Sequence, residues 1–348
     1  MSGVRTSRWT PFGSILDVDG IGVGHHQRTG SGWQTGTTVI TAPNGATPGV
    51  DVRGGGPGTR ETDALRPENL IQQIHAVTLT GGSAYGLAAA TGVVDLLEER
   101  GLGFPIAEHV VPVVPAAVIF DVGRSGDFGH RPDSDFGRRA ARSALAGRTP
   151  PSWGSVGAGT GARAGGLQGG VGTASATVEI GDHAVTVGAV AVVNANGAPV
   201  DPSSGLPWET HGLRFRRPSR AERDAVANEL TAQRGPALNT TIGLIATSAA
   251  LDKAECSKVA TVAHDGLARA IRPAHSMTDG DTVFTLATGD VALPEHDGGP
   301  DRIVALNAVL SAAADVFSAA CTHAVLAAST IGTAVAWLDL CPNTLDSC

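Results

Sequence analysis

Aromatic side chains are scarce in this chain, at 4% of its 348 residues, and only four are cysteine. With few large rings, packing falls to alanine, valine and the 47 glycines. Small side chains of that kind suit layers in close contact, as in stacked sheets covered by helices. The cysteines, Cys256, Cys321, Cys341 and Cys348, lack CxxC spacing and are too sparse for a disulfide scaffold. Cys256 and Cys321 fall in helical patterns and read as small buried hydrophobes. A reducing cytoplasm is the expected compartment.

A basic surplus is also missing. The net charge of -8 weighs against a nucleic-acid or anionic-membrane partner. No run of uncharged apolar residues is long enough to predict a membrane span. The opening Met1 to Trp9 has charge but no apolar run behind it, so no signal peptide is expected. Gly54-Gly-Gly-Pro-Gly58, Gly81-Gly82 and the stretch from Gly157 to Gly172 match neither GxxxxGK[ST] nor GxGxxG between a strand and a helix. Close backbone approach is their expected use. Ser83 is not in a nucleophile elbow, because Tyr85 stands where GxSxG needs glycine. Amides at that helix start are expected to be exposed to a substrate carboxylate or carbonyl. His25 and His26 are adjacent and do not share a face. No metal and no cofactor is expected.

What is present is an alternation of strands and helices without regular βαβ units. Residues 37–41, 76–80, 185–193, 241–247 and 281–287 read as strands. Residues 87–100, 133–145, 251–271 and 303–328 read as helices, with Gly101 stopping the first and Ser248 capping the third. Residues 110–120 carry Pro112 and Pro115 and read as an edge or irregular segment. This order predicts α+β layers in one domain rather than a doubly wound sheet. The polar stretch 214–238 reads as a mobile linker, although Arg216 to Glu222 has the look of a helix start.

That linker ends at Leu238-Asn239-Thr240-Thr241-Ile242, where a turn-prone approach meets a β-branched strand. Such a junction suits a chain that cuts itself before a threonine. A threonine hydroxyl needs an adjacent base, and an N-terminal threonine carries one in its own α-amine. The ordinary pKa of that amine, roughly 7.7–8.0, leaves a useful neutral fraction near neutral pH. An ordinary turn-to-strand junction is the plainer alternative. Asp279-Gly280-Asp281 opens another strand. Its carboxylates could orient an amine, bind a cation or form a solvated turn. Asn194 ends the strand at 185–193 and is either an oxyanion donor or a turn residue.

Six ordered motifs together resemble the DmpA-like self-processing hydrolases, which include L-aminopeptidase/D-esterases, β-peptidyl aminopeptidases and nylon-oligomer hydrolases. They are Asp17 to His25, Val52 to Thr62, Leu79 to Gly86, Val156 to Gly161 with Gly169 to Ser175, Leu238 to Gly243, and Arg272 to Phe284. The resemblance implies a four-layer αββα sandwich, cleaved into chains 1–239 and 240–348. It implies Thr240 as nucleophile, Asn194 as oxyanion stabiliser and Asp279 with Asp281 as an acidic pair. Ser83 and Tyr85 lie in a motif at the substrate end. Two positions depart from the pattern: Gln168 stands where many relatives have lysine, and Phe120 matches an active-site tyrosine. The implied substrate is a small peptide or amide with a free amine, which Asp279 and Asp281 would recognise. A homo-oligomer, a tetramer of processed units, is also implied. An acyltransferase of the ornithine-acetyltransferase type, or a weakly active member given Gln168, are the alternative readings.

Overall fold

The computed structural model describes residues 10–124, 126–147, 150–232, 238–295 and 300–345. Its strands are β1 (Gly22–Gly30), β2 (Trp33–Val52), β3 (Thr59–Arg60), β4 (Ile74–Thr80), β5 (Phe104–Ile106), β6 (His109–Val111), β7 (Ala116–Val118), β8 (Arg163–Ala164), β9 (Leu167–Gln168), β10 (Gly170–Ile180), β11 (His183–Val193), β12 (Ile242–Ala249) and β13 (Thr282–Val291). Its α-helices are α1 (Ala89–Glu99), α2 (Ser134–Ala146), α3 (Arg220–Ala232), α4 (Lys253–Ala270), α5 (Asp301–Leu326) and α6 (Trp337–Leu340).

One hydrogen-bonded path runs β10-β11-β12-β13-β2-β4-β7-β3, with β1 also on β2. The long β2 serves two sheets. Its first half pairs with β1 and β4, Ile40 opposite Val77, and its last residues pair with β13, Val52 opposite Thr282. The register breaks between Thr41 and Ala46, where the strand passes from one sheet to the other.

Alternation along the strands separates the layers. Ile40, Val77, Leu79 and Ile119 from one sheet meet Val190, Val192, Leu244 and Phe284 from the other in a central core. Their neighbours point outward. Val39, Ala76 and Ala116 pack under α1 and α2. Ala189, Ala191, Ile245 and Val283 pack under α4 and α5. The result is the expected αββα sandwich.

Most expected elements are present, with four corrections. The third helix is capped by Asp252, not Ser248, through a capping box with Glu255. Residues 110–120 are not merely irregular, because β7 runs parallel to β4 inside the path. The polar stretch 214–238 contains helix α3, whose Val226 is fully buried; residues 233–237 and Cys348 lie outside the described residues. Strands β1 and β10 were unanticipated. Both are glycine-rich because helices press on them. A Cβ on Gly24 would meet the Ala140 carbonyl of α2 at 2.2 Å, and one on Gly172 would meet the Ala320 carbonyl of α5 at 2.1 Å. Helix α5 is long and apolar enough to cross a membrane, but here it packs against β10, β11 and α4. Cys256 and Cys321 are fully buried, and burial pushes both thiols up.

Candidate active site

Pairing register assembles the site at one end of the sandwich. Strands β12 and β13 are parallel, with Ile242 beside Thr282, and the same offset continues to a bridge between Asn239 and Asp279. Thr240 and Thr241 therefore run beside Gly280 and Asp281. On the other side β12 is antiparallel to β11, Ile242 opposite Val192. Continuing that ladder puts Asn194 across from Thr240, whose amide donates to the Asn194 carbonyl at 2.6 Å. The glycine loop after β2 closes over the turn. Gly56 donates its amide to the Asp279 carbonyl at 2.9 Å, and a Cβ on Gly280 would meet the Gly56 carbonyl at 2.5 Å. Close approach is thus the use of this run, as the sequence implied.

The chain enters the site abruptly. Leu238 is 49% exposed, while Asn239 is 1% and Thr240 4% exposed. The Thr240 hydroxyl donates to the carbonyl oxygen of Asn239, the residue before it. Arg124 grips the two residues before Thr240. Its Nη2 donates to the Leu238 carbonyl and, at 2.8 Å, to Asn239 Oδ1, while Nη1 donates to Asn194 Oδ1 at 2.8 Å. Burial lowers the Arg124 pKa to about 10, so it stays charged at neutral pH. Arg163 braces the group: its backbone amide donates to Asn194 Oδ1 at 3.0 Å, and its guanidinium donates to the Arg124 carbonyl at 3.3 Å.

The two carboxylates are buried and occupied. Asp281 Oδ1 accepts from the Thr241 amide at 2.7 Å. Its Oδ2 lies 2.7 Å from His275 Nδ1 and accepts from the His275 amide at 3.2 Å. Asp279 Oδ2 accepts from the Ser276 amide at 3.0 Å and hydroxyl at 2.5 Å, and its Oδ1 from the Asn196 amide at 3.3 Å. Burial raises the Asp279 pKa, the Ser276 bond opposes that, and the Asp281 charge adds to it. The pair is therefore no solvated turn: Asp281 fixes the Thr241 amide and the His275 backbone, and Asp279 fixes the turn at Ser276 and the Asn196 amide.

Thr240, Asn239, Asn194, Asp279 and Asp281 thus come together as expected. The Asn194 side-chain nitrogen faces the Phe120 carbonyl at a long 3.4 Å, which places Phe120 at the margin. Gln168 is buried beside the site, opposite Arg163 in the β8–β9 pair. Its Nε2 donates to the carbonyls of Ala162 at 3.0 Å and Gly169 at 3.2 Å, and no described hydrogen bond joins it to Thr240. Ser83 and Tyr85 stay outside the hydrogen-bonded group. Tyr85 is 56% exposed under the Arg131 guanidinium. Two of the amides at that helix start are taken: Ser83 donates to the Ile119 carbonyl at 2.9 Å and Gly82 to Asp121 Oδ1 at 2.7 Å. Burial raises that Asp121 pKa to about 6, against the bonds from Thr35 and Gly82. Sequence reasoning missed Arg124, Arg163 and His275. A single arginine in a loop carries no spacing signal.

A model of peptidase family S58 matches residues 13–336. The chain belongs to that family. It is 48% identical over 349 residues to an uncharacterized aminopeptidase of Mycobacterium tuberculosis, covering 96% of this chain and 99% of the relative. It is 33% identical over 304 residues to the 6-aminohexanoate-oligomer endohydrolase of a Kocuria species, covering 84% and 80%. Among solved structures, the L-aminopeptidase D-Ala-esterase/amidase of Ochrobactrum anthropi superposes with a TM-score of 0.70 at 22% identity, covering 97% of this chain and 94% of that one. That structure is described as a variant of the Ntn-hydrolase fold, and the S58 chain shares the fold. The family expected from the six motifs is the right one, and as a member the chain is a hydrolase.

Proposed function

We propose that this S58 hydrolase cuts itself between Asn239 and Thr240 and then uses Thr240 as an N-terminal nucleophile on small peptides or amides. The observation that carries this reading is the buried Thr240 hydroxyl lying against the carbonyl of its own preceding peptide bond. In the first step Oγ1 attacks the Asn239 carbonyl carbon. The bond to the Thr240 nitrogen breaks, and that nitrogen takes the hydroxyl proton, leaving an ester. Water then opens the ester, giving an Asn239 carboxylate, a free Thr240 hydroxyl and a free α-amine. The amine is the base that the hydroxyl lacked.

Turnover repeats the chemistry on a substrate. The α-amine takes the proton from Oγ1, Oγ1 attacks the substrate carbonyl, the amine product departs with a proton, and water hydrolyses the acyl-enzyme. The Asn194 carbonyl, already on the Thr240 nitrogen, orients the amine. The Asn194 side-chain nitrogen turns from its long contact with Phe120 to the developing oxyanion. Arg124 supplies positive charge beside these groups, which favours the neutral amine. Asp281 holds the Thr241 flank in register, and Asp279 holds the Ser276 turn and the Asn196 amide beside it.

The names of the mycobacterial and Kocuria relatives support amide hydrolysis as the reaction class. The test is purification of wild-type protein and of Thr240→Ala, followed by incubation with aminoacyl and acylated p-nitroanilides. Activity in the cut wild type and none in the variant is expected. Equal activity in both removes Thr240 from the mechanism.

A further inference from the structure

Resting on the self-cleavage reading, we propose that Arg124 selects the acyl half of the substrate. The preferred class is an amide whose acyl residue is itself N-acylated and carries a side-chain carbonyl or carboxylate, as asparaginyl and aspartyl groups do.

Leu238 and Asn239 form the acyl half of the bond being cut. Thr240 attacks a substrate carbonyl from the same place, so the substrate's acyl half takes the position these two residues vacate. The Arg124 Nη2 group meets them there, on the Leu238 carbonyl and on Asn239 Oδ1 at 2.8 Å. Its Nη1 remains anchored on Asn194 Oδ1, and Arg163 holds its backbone carbonyl. A guanidinium has donors and no acceptor. It rewards oxygen atoms at those two positions and repels an ammonium group. The oxygens of the nearby acids are directed onto other groups, which leaves Arg124 as the charged side chain on Leu238 and Asn239. Asp121 is bonded to Thr35 and Gly82, and Asp279 and Asp281 are bonded to Ser276, Asn196, Thr241 and His275. A free α-amine on the residue being cut is therefore disfavoured, against the substrate expected from the sequence. Repulsion of the wrong acyl group is as much the source of selectivity as attraction of the right one.

The test uses the intact chain as its own substrate, then the mature enzyme. Asn239→Lys should slow self-cleavage by about tenfold or more, the worth of one charge-assisted hydrogen bond, while Asn239→Asp keeps pace. The double variant Arg124→Glu with Asn239→Lys should recover much of the loss, which a merely structural Arg124 would not allow. Mature wild type should cleave acetyl-Leu-Asn-p-nitroanilide at least about tenfold faster, by kcat/KM, than acetyl-Leu-Lys-p-nitroanilide or Asn-p-nitroanilide with a free amine. Cleavage of Asn239→Lys at the wild-type rate, or equal turnover of the three anilides, overturns the proposal and leaves self-processing intact. A wild-type chain that stays whole and inactive overturns both.

Discussion

The amide nitrogen of Thr240 donates to the carbonyl oxygen of Asn194 at 2.6 Å. This is the nitrogen that cleavage would turn into an α-amine. Its hydrogen-bond partner is therefore in place before any amine exists, supplied by antiparallel pairing beyond the ends of β11 and β12. The hydroxyl of the same residue faces the carbonyl that it would attack.

Asn194 carries two separable roles in this account, one through its backbone and one through its side chain. Asn194→Ala keeps the carbonyl and removes the amide. Turnover of cut enzyme should fall roughly 100- to 1,000-fold, as for other single oxyanion donors. Steady-state kinetics on the purified two-chain form measures this. Unchanged kcat would reassign the side chain to anchoring Arg124 and Arg163.

Asp281→Asn should slow self-cleavage and lower stability together. Asp281 accepts from the Thr241 amide through one oxygen and from His275 through the other. An asparagine presents only one acceptor, so one of those donors would face an NH2 group. Losing one such buried, charge-assisted bond costs about 1.5–3 kcal/mol. A gel time course and a melting curve test it, with Asp279→Asn as the companion variant. Wild-type rates in both variants would make the pair dispensable.

Gly243→Ala probes the strand behind the nucleophile. An added Cβ would lie 2.4 Å from the Phe317 ring and 2.5 Å from the Val190 carbonyl. Overpacking of this kind costs about 1–3 kcal/mol. The melting temperature should fall, and processing should slow as β12 shifts. An unchanged melting curve would mean that α5 moves aside freely.

Acid should loosen the fold through His264. This ring is fully buried on α4, 3.2 Å from the Asp51 carbonyl and edge-on to His275 at 4.8 Å. Burial lowers its pKa from 6.5 to about 4. In the window between those values the unfolded chain binds a proton that the folded chain refuses. The contribution is present above pH 6.5 and is lost as the pH falls toward about 4, by roughly 3 kcal/mol for this group. Asp121, raised from 3.8 to about 6, has the opposite sign across most of that window. The His264→Gln variant isolates the histidine: its denaturation midpoint should fall less than that of wild type between pH 7 and pH 5. Parallel slopes would remove His264 from the acid response.

Much of this arrangement is legible in the sequence where chemistry is tied to chain position. The β-branched run at Thr241 to Thr247 announces β12, and Asp279 and Asp281 sit at the head of β13 by their place in the chain. Parallel pairing of those two strands then brings the acids beside Thr240. The layers follow from alternating apolar residues. Legibility fails where glycine carries a strand, as in β1 and β10, because the cause is a helix pressing from far along the sequence. It fails again at Arg124. That residue joins Asn194 to Asn239 only because the loop after β7 folds over the end of β12, and no local pattern encodes the encounter. Ser83 shows the converse. A glycine-rich helix start suggests free amides, but pairing with Ile119 and Asp121 takes those of Ser83 and Gly82.

The central claim is that Thr240 becomes an N-terminus. Intact-mass spectrometry of purified wild-type protein, with N-terminal sequencing of the smaller species, tests it most directly. The account predicts two chains, 1–239 and 240–348, the second reading Thr-Thr-Ile-Gly-Leu, and a single chain for Thr240→Ala. A wild-type protein that remains one chain of 348 residues, or a fragment beginning at any other residue, would contradict it.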